Sequence, residues 1–96
     1  MDLGINGKIA LVTGDSRGVG RGCAEQLAAD QCRVAICSRD GAAAQQAAEE
    51  IAAQSGTEVL GFGADVSRAE DVDRLLKDVT QSLGDPQILV TNAGGP

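Results

Sequence analysis

Apolar residues gather along this chain in short runs separated by stretches of helical spacing. Lys8-Ile9-Ala10-Leu11-Val12-Thr13, Arg33-Val34-Ala35-Ile36-Cys37-Ser38, Glu58-Val59-Leu60-Gly61-Phe62 and Gln87-Ile88-Leu89-Val90 are rich in strand formers and predict four strands. After the first, Val19, Cys23 and Leu27 recur four apart, predicting a helix that ends near Ala29-Asp30-Gln31. Gly22 inside it costs about 1 kcal/mol relative to alanine, so it predicts a close approach to the sheet. Ala44, Ala47, Ala48, Ile51 and Ala52 predict a second helix with a small-residue face, ended by Gly56. The third helix carries the stripe Val72, Leu75, Leu76, Val79 and Leu83. Ser67 and Glu70 are spaced as a capping box at its start, and Gly84-Asp85-Pro86 stops it.

Strands alternating with helices predict an α/β fold, a parallel sheet with helices on both faces. The expected architecture is a Rossmann-type doubly wound sheet, here an incomplete N-terminal portion of four strands and three helices in the order 3-2-1-4. The 96 residues allow one domain at most, so 1–96 reads as a portion of a single domain. With Phe62 the sole aromatic, the core must be built from Val, Ile, Leu and Ala.

Charge and composition remove several classes. A net charge of -6 argues against nucleic-acid binding, which needs a basic face to neutralise phosphate. The apolar runs fall far short of the roughly 18 residues of a membrane span, and Met1-Asp2-Leu3-Gly4 does not read as a secretory signal. Cys23, Cys32 and Cys37 are odd in number, lack CxxC spacing and have no histidine beside them, so neither a disulfide framework nor a metal site is expected. The expectation is reduced thiols in a cytoplasmic protein.

The chemistry lies in Thr13-Gly14-Asp15-Ser16-Arg17-Gly18-Val19-Gly20, between the first strand and the first helix. Glycines there permit a tight turn, close approach of backbone to a pyrophosphate, and close packing of the helix. The helix N-terminus adds unpaired N–H groups and a partial positive charge. Gly14, Ser16, Arg17, Gly18, Val19 and Gly20 are therefore candidate cofactor-binding residues. The bland alternative is an ordinary strand-to-helix turn in a chain with 13 glycines. A P-loop is excluded because no Gly-Lys-Ser/Thr follows.

Thr13-Gly14-x-x-x-Gly18-x-Gly20, then Asp65-Val66 after the third strand and Asn92-Ala93-Gly94 after the fourth, together resemble the N-terminal half of a short-chain dehydrogenase/reductase. The resemblance is to the branch that includes 3-oxoacyl-acyl-carrier-protein reductases, and it covers essentially the whole chain. It implies that the glycine loop holds the cofactor pyrophosphate, that Asp65 with Val66 receives the adenine, and that Asn92, Ala93 and Gly94 support the sheet beside the adenosine ribose. Two positions depart from the family pattern: Thr91 stands where a first Asn is usual, and Asp15 where a small residue is usual. The family's Tyr-x-x-x-Lys pair, with its Ser and further Asn, maps onto nothing here, since the chain has no tyrosine. No catalytic residue is therefore assigned, and the segment itself is expected to be non-catalytic.

The end of the second strand bears on cofactor choice. An NAD enzyme places a carboxylate about 20 residues beyond the glycines to hold the ribose 2′-OH; here Ser38 and Arg39 stand there instead. Arg39, with Arg17, offers cations to a 2′-phosphate, and Ser38 a hydroxyl. NADP(H) is thus expected ahead of NAD(H). The alternative is that both arginines are solvated surface residues, with Asp40 partly neutralising Arg39. The resemblance implies a full-length homo-oligomer that transfers hydride between the nicotinamide and a small-molecule ketone or secondary alcohol. A second reading is a non-catalytic nucleotide-sensing module. A third, an S-adenosylmethionine site, is disfavoured by Arg39 and by the Asn-Ala-Gly end.

Overall fold

All five residues of β1, Ile9–Thr13, are buried, as are all but the first of β2, Arg33–Ser38. A strand covered on both faces reads as a continuous apolar run, which is the pattern of these two. The computed structural model describes residues 7–14 and 19–91. It contains α1 (Val19–Ala29), α2 (Gly41–Ser55), β3 (Val59–Gly63), α3 (Ala69–Ser82) and β4 (Ile88–Thr91) besides β1 and β2. The strands form one parallel sheet in the order β3-β2-β1-β4, as the sequence predicts.

Register sets which side chains share a face. Val12 is level with Ile36 and Val90, and Ile36 with Gly61. Successive strand residues point to opposite faces, so Val34 and Ile36 pack under α1 and α2 with Ala24, Ala28, Ala44, Ala48 and Ile51. Ala35 and Cys37 point the other way and meet Leu75, Val79 and Leu83 beneath α3. Each fully buried Val, Leu or Ile side chain contributes about 1.5–3 kcal/mol. β4 pairs only with β1 among the described strands and carries Leu89 at 63% exposure.

Close helix-to-sheet packing occurs, but not where Gly22 predicts it. Gly22 is exposed, and a Cβ there would meet open space. The approach is made by α2, whose small-residue face lets its backbone cross β3 at Gly61; a Cβ on Gly61 would lie 2.5 Å from the Gln45 amide nitrogen.

The capping box at the start of α3 does not form. The N-cap position is Arg68, and no side chain caps it. Ser67 instead donates its hydroxyl to Asp65 Oδ1 at 2.6 Å and its N–H to the same oxygen at 3.0 Å. A charged acceptor two residues upstream makes a stronger bond than the neutral cap. The stop of α2 follows expectation: Gly56 adopts φ 72° and donates its N–H to Ala52 O at 2.9 Å.

Candidate functional site

In a parallel sheet every strand ends at the same rim, and open α/β sheets bind ligands there, where the strand order reverses. The reversal here falls between β1 and β4, the strands that lie beside each other out of sequence. Gly14 follows β1 at this rim with φ 122°, a conformation that a side chain would strain. Its N–H donates to Cys37 O at 3.0 Å, and the Ala64 N–H donates to Ser38 O at 2.9 Å. These two bonds carry the β1–β2 and β2–β3 ladders one residue past the strands. They hold the three chain exits side by side. α1 then begins at Val19 and Gly20, so its first-turn N–H groups belong to this end of the molecule. Ser16, Arg17 and Gly18 of the glycine loop lie outside the described residues, as do Asn92, Ala93 and Gly94.

After β2 the chain turns tightly. Ser38 is buried, and its Oγ accepts the Asp40 N–H at 3.0 Å and donates to Asp40 O at 3.2 Å. The hydroxyl expected to face a ligand is engaged within this turn, where it shapes the path of the next residues. Asp40 in turn accepts the Ala43 N–H on Oδ1 at 3.1 Å and caps α2. Asp40 forms no ion pair with Arg39. The Asp40 carboxylate is committed to the helix, and Arg39 stands exposed with no ion-pair partner among the described residues.

Asp65 sits just past β3, with Val66 beside it 47% exposed. The Ser67 hydroxyl and then the Ser67 N–H hold the Asp65 carboxyl below the usual carboxylate range, and the nearby Arg39 and Arg68 add to this. Arg39 and Asp65 therefore share one electrostatic neighbourhood at the rim. Oδ1 is used by Ser67, while among the described residues no hydrogen bond reaches Oδ2, which remains an ionised acceptor. Beneath them Cys37 donates its thiol to Ala64 O at 3.7 Å, and burial pushes that thiol up.

The structure thus brings Gly14, Ser38, Arg39, Asp65 and Val66 to one rim, together with the start of α1. This arrangement can cradle an anion at the glycine turn and offer a cation and an acceptor to one flank. No group of three potential metal ligands occurs among the described residues, and no described helix is long and apolar enough to cross a membrane. Two roles went unread in the sequence, the helix cap of Asp40 and the backward reach of Asp71. Asp40 stands immediately before an alanine-rich helix, the ordinary signature of an N-cap. Asp71 occupies the third position of α3, where acids reach back to preceding amides.

Residues 8–96 match the model of the family described as short chain dehydrogenase. The chain is 35% identical over 94 residues to a 3-oxoacyl-acyl-carrier-protein reductase of Aquifex aeolicus, covering 98% of this chain and 38% of that protein. It is 39% identical over 88 residues to an acetoacetyl-CoA reductase of Allochromatium vinosum, covering 91% of this chain and 36% of that one. Among solved structures, L-sorbose reductase from Gluconobacter frateurii, complexed with NADPH and L-sorbose, superposes with a TM-score of 0.92 at 37% identity. That match covers 99% of this chain and 36% of the reductase. The chain therefore spans little more than a third of these relatives.

Proposed function

The chain belongs to the short-chain dehydrogenase family, and from that premise we propose that it forms the adenosine and phosphate side of an NADP(H) site. The whole protein would be an oxidoreductase acting on a ketone or secondary alcohol. The observation that carries the cofactor assignment is the Asp40 cap: the carboxylate next to Arg39 in sequence bonds the start of α2, and Arg39, without an ion pair among the described residues, would be available to a 2′-phosphate. Ser38, not a carboxylate, stands at the end of β2 where an acid would receive a 2′-OH.

The residues fit the dinucleotide in a consistent direction. Gly14 and the start of α1 would hold the pyrophosphate with backbone amides. Arg39, joined by Arg17 of the glycine loop, would clamp the 2′-phosphate, with Ser38 fixing the turn that presents Arg39. Asp65 Oδ2 would accept from the adenine amino group while Val66 covers the ring edge, and Asn92, Ala93 and Gly94 would close the ribose side. A hydrogen bond to a charged group contributes about 1.5–3 kcal/mol, which favours NADP(H) over NAD(H) by roughly tenfold to a hundredfold. The bound cofactor supplies the hydride; this chain's residues orient its adenosine end and contribute no proton-transfer group.

Two of the relatives named above reduce 3-oxoacyl thioesters by their names, which makes that class the leading substrate for the whole protein. A homo-oligomer working in the cytoplasm completes the reading. The test is NADPH oxidation by the whole protein with acetoacetyl thioesters and with L-sorbose as alternative hydride-accepting carbonyl substrates. Turnover with either supports an oxidoreductase. Tight NADPH binding with no oxidation by either carbonyl class would favour a nucleotide-sensing module instead.

A further inference from the structure

The connection from β3 to α3 is held from within the helix it leads into. Asp71, the third residue of α3, turns its carboxylate back so that Oδ2 accepts the Asp65 N–H at 2.9 Å. Its Oδ1 lies 3.7 Å from Arg74 Nη2, which itself donates to Gly63 O at 3.4 Å. One partly buried carboxylate, 21% exposed, therefore ties the last residue of β3 to the residue that faces the rim.

Asp65 is thereby held at almost every polar atom. Its N–H is taken by Asp71, its carbonyl accepts the Arg68 N–H at 3.0 Å, and Oδ1 accepts from Ser67. Only Oδ2 is left, and its direction is set by the other three. We infer that Asp71 is a positioning residue for the adenine end of the site: it fixes the Asp65 peptide so that Oδ2 points at the purine. It does so without touching the nucleotide. The inference rests on the dinucleotide reading given above. Removing the Asp71 carboxylate releases the Asp65 amide to water, and hydrogen bonds weaken steeply as their angle departs from linear. The loss should fall on recognition of the purine and spare recognition of the 2′-phosphate, which Arg39 carries from β2.

Dissociation constants of the whole protein for NADPH, for NADH and for the hypoxanthine analogue of NADPH separate these effects, because in the analogue a carbonyl oxygen replaces the adenine amino group. The unsubstituted protein should favour NADPH over the analogue by about tenfold or more. Asp71→Ala should bring that ratio toward unity and leave the NADPH-to-NADH ratio unchanged. Asp71→Asn, whose side-chain oxygen still accepts the Asp65 N–H, should restore it. Arg74→Ala, an exposed change that loosens the same carboxylate, should lower the purine ratio partway and serves if Asp71→Ala does not fold. An unsubstituted protein indifferent to the analogue overturns the inference together with the role of Asp65. An undiminished purine ratio in Asp71→Ala, or an equal fall in both ratios that Asp71→Asn does not restore, overturns the role of Asp71 alone.

Discussion

Gly61 of β3 runs directly beneath the backbone of Ala44 in α2: a Cβ at Gly61 would collide with the Ala44 carbonyl and stand 2.5 Å from the Gln45 nitrogen. The obstacle is backbone on both sides, so no flexible side chain can move away. Gly61→Ala should therefore destabilise the whole protein by about 1–3 kcal/mol, the usual cost of overpacking, seen as a lower midpoint in urea or on heating. Gly22→Ala, at an exposed helical site facing open space, should stabilise the protein by up to about 1 kcal/mol, seen as a higher midpoint.

Asp40 closes α2 through the Ala43 N–H at 3.1 Å. Asp40→Ala should cost about 0.5–2 kcal/mol of stability, while Asp40→Asn should cost far less because it keeps the capping oxygen. Neither should lower the preference for NADPH, since the carboxylate does not engage Arg39. A weaker preference in Asp40→Asn, measured from dissociation constants, would show that Asp40 acts on the cofactor rather than on the helix.

Gly14 has φ 122° and donates to Cys37 O at 3.0 Å. Gly14→Ala forces a side chain into that conformation at a cost of about 1–3 kcal/mol, and it displaces the turn from which the cofactor loop starts. Affinity for NADPH should fall along with the melting temperature, both read on the same samples by calorimetry.

The pH dependence has opposite signs at the two ends of the scale. The Asp65 carboxyl is lowered from its ordinary 3.8 in the folded chain by Ser67, so its stabilising effect is present above that value and is lost as pH falls through the folded one. Cys37 is raised above 9.0 by burial, so its contribution is present below 9.0 and is lost as pH rises through the folded value. In Ser67→Ala, the Asp65 titration followed by NMR should move up toward 3.8. At mildly alkaline pH, Cys23, which is only partly buried, should be alkylated well before the buried Cys32 and Cys37, as mapped by mass spectrometry.

The strand order and both central strands were legible because their signal is local: unbroken runs such as Ala10-Leu11-Val12 and Val34-Ala35-Ile36 need cover on both faces. The Gly56 stop was legible for the same reason. The Gly22 expectation failed, and the close approach at Gly61 went unread, because helix-to-sheet distance depends on where two elements cross, which a single segment does not encode. Ser67 looked like a cap by spacing, yet a carboxylate two residues before it made the better partner. The place of Ser38 and Arg39 at the end of β2 was legible. That the Ser38 hydroxyl is spent on Asp40, and that Asp40 is spent on α2, required the folded turn.

The most direct measurement is the pair of dissociation constants of the whole protein for NADPH and NADH, taken for the unsubstituted chain and for Arg39→Ala. An exposed guanidinium with its neighbouring carboxylate turned into α2 predicts NADPH tighter by roughly tenfold or more, with most of that margin gone in Arg39→Ala. Equal constants for the two cofactors in the unsubstituted protein would contradict the assignment of this rim to the 2′-phosphate.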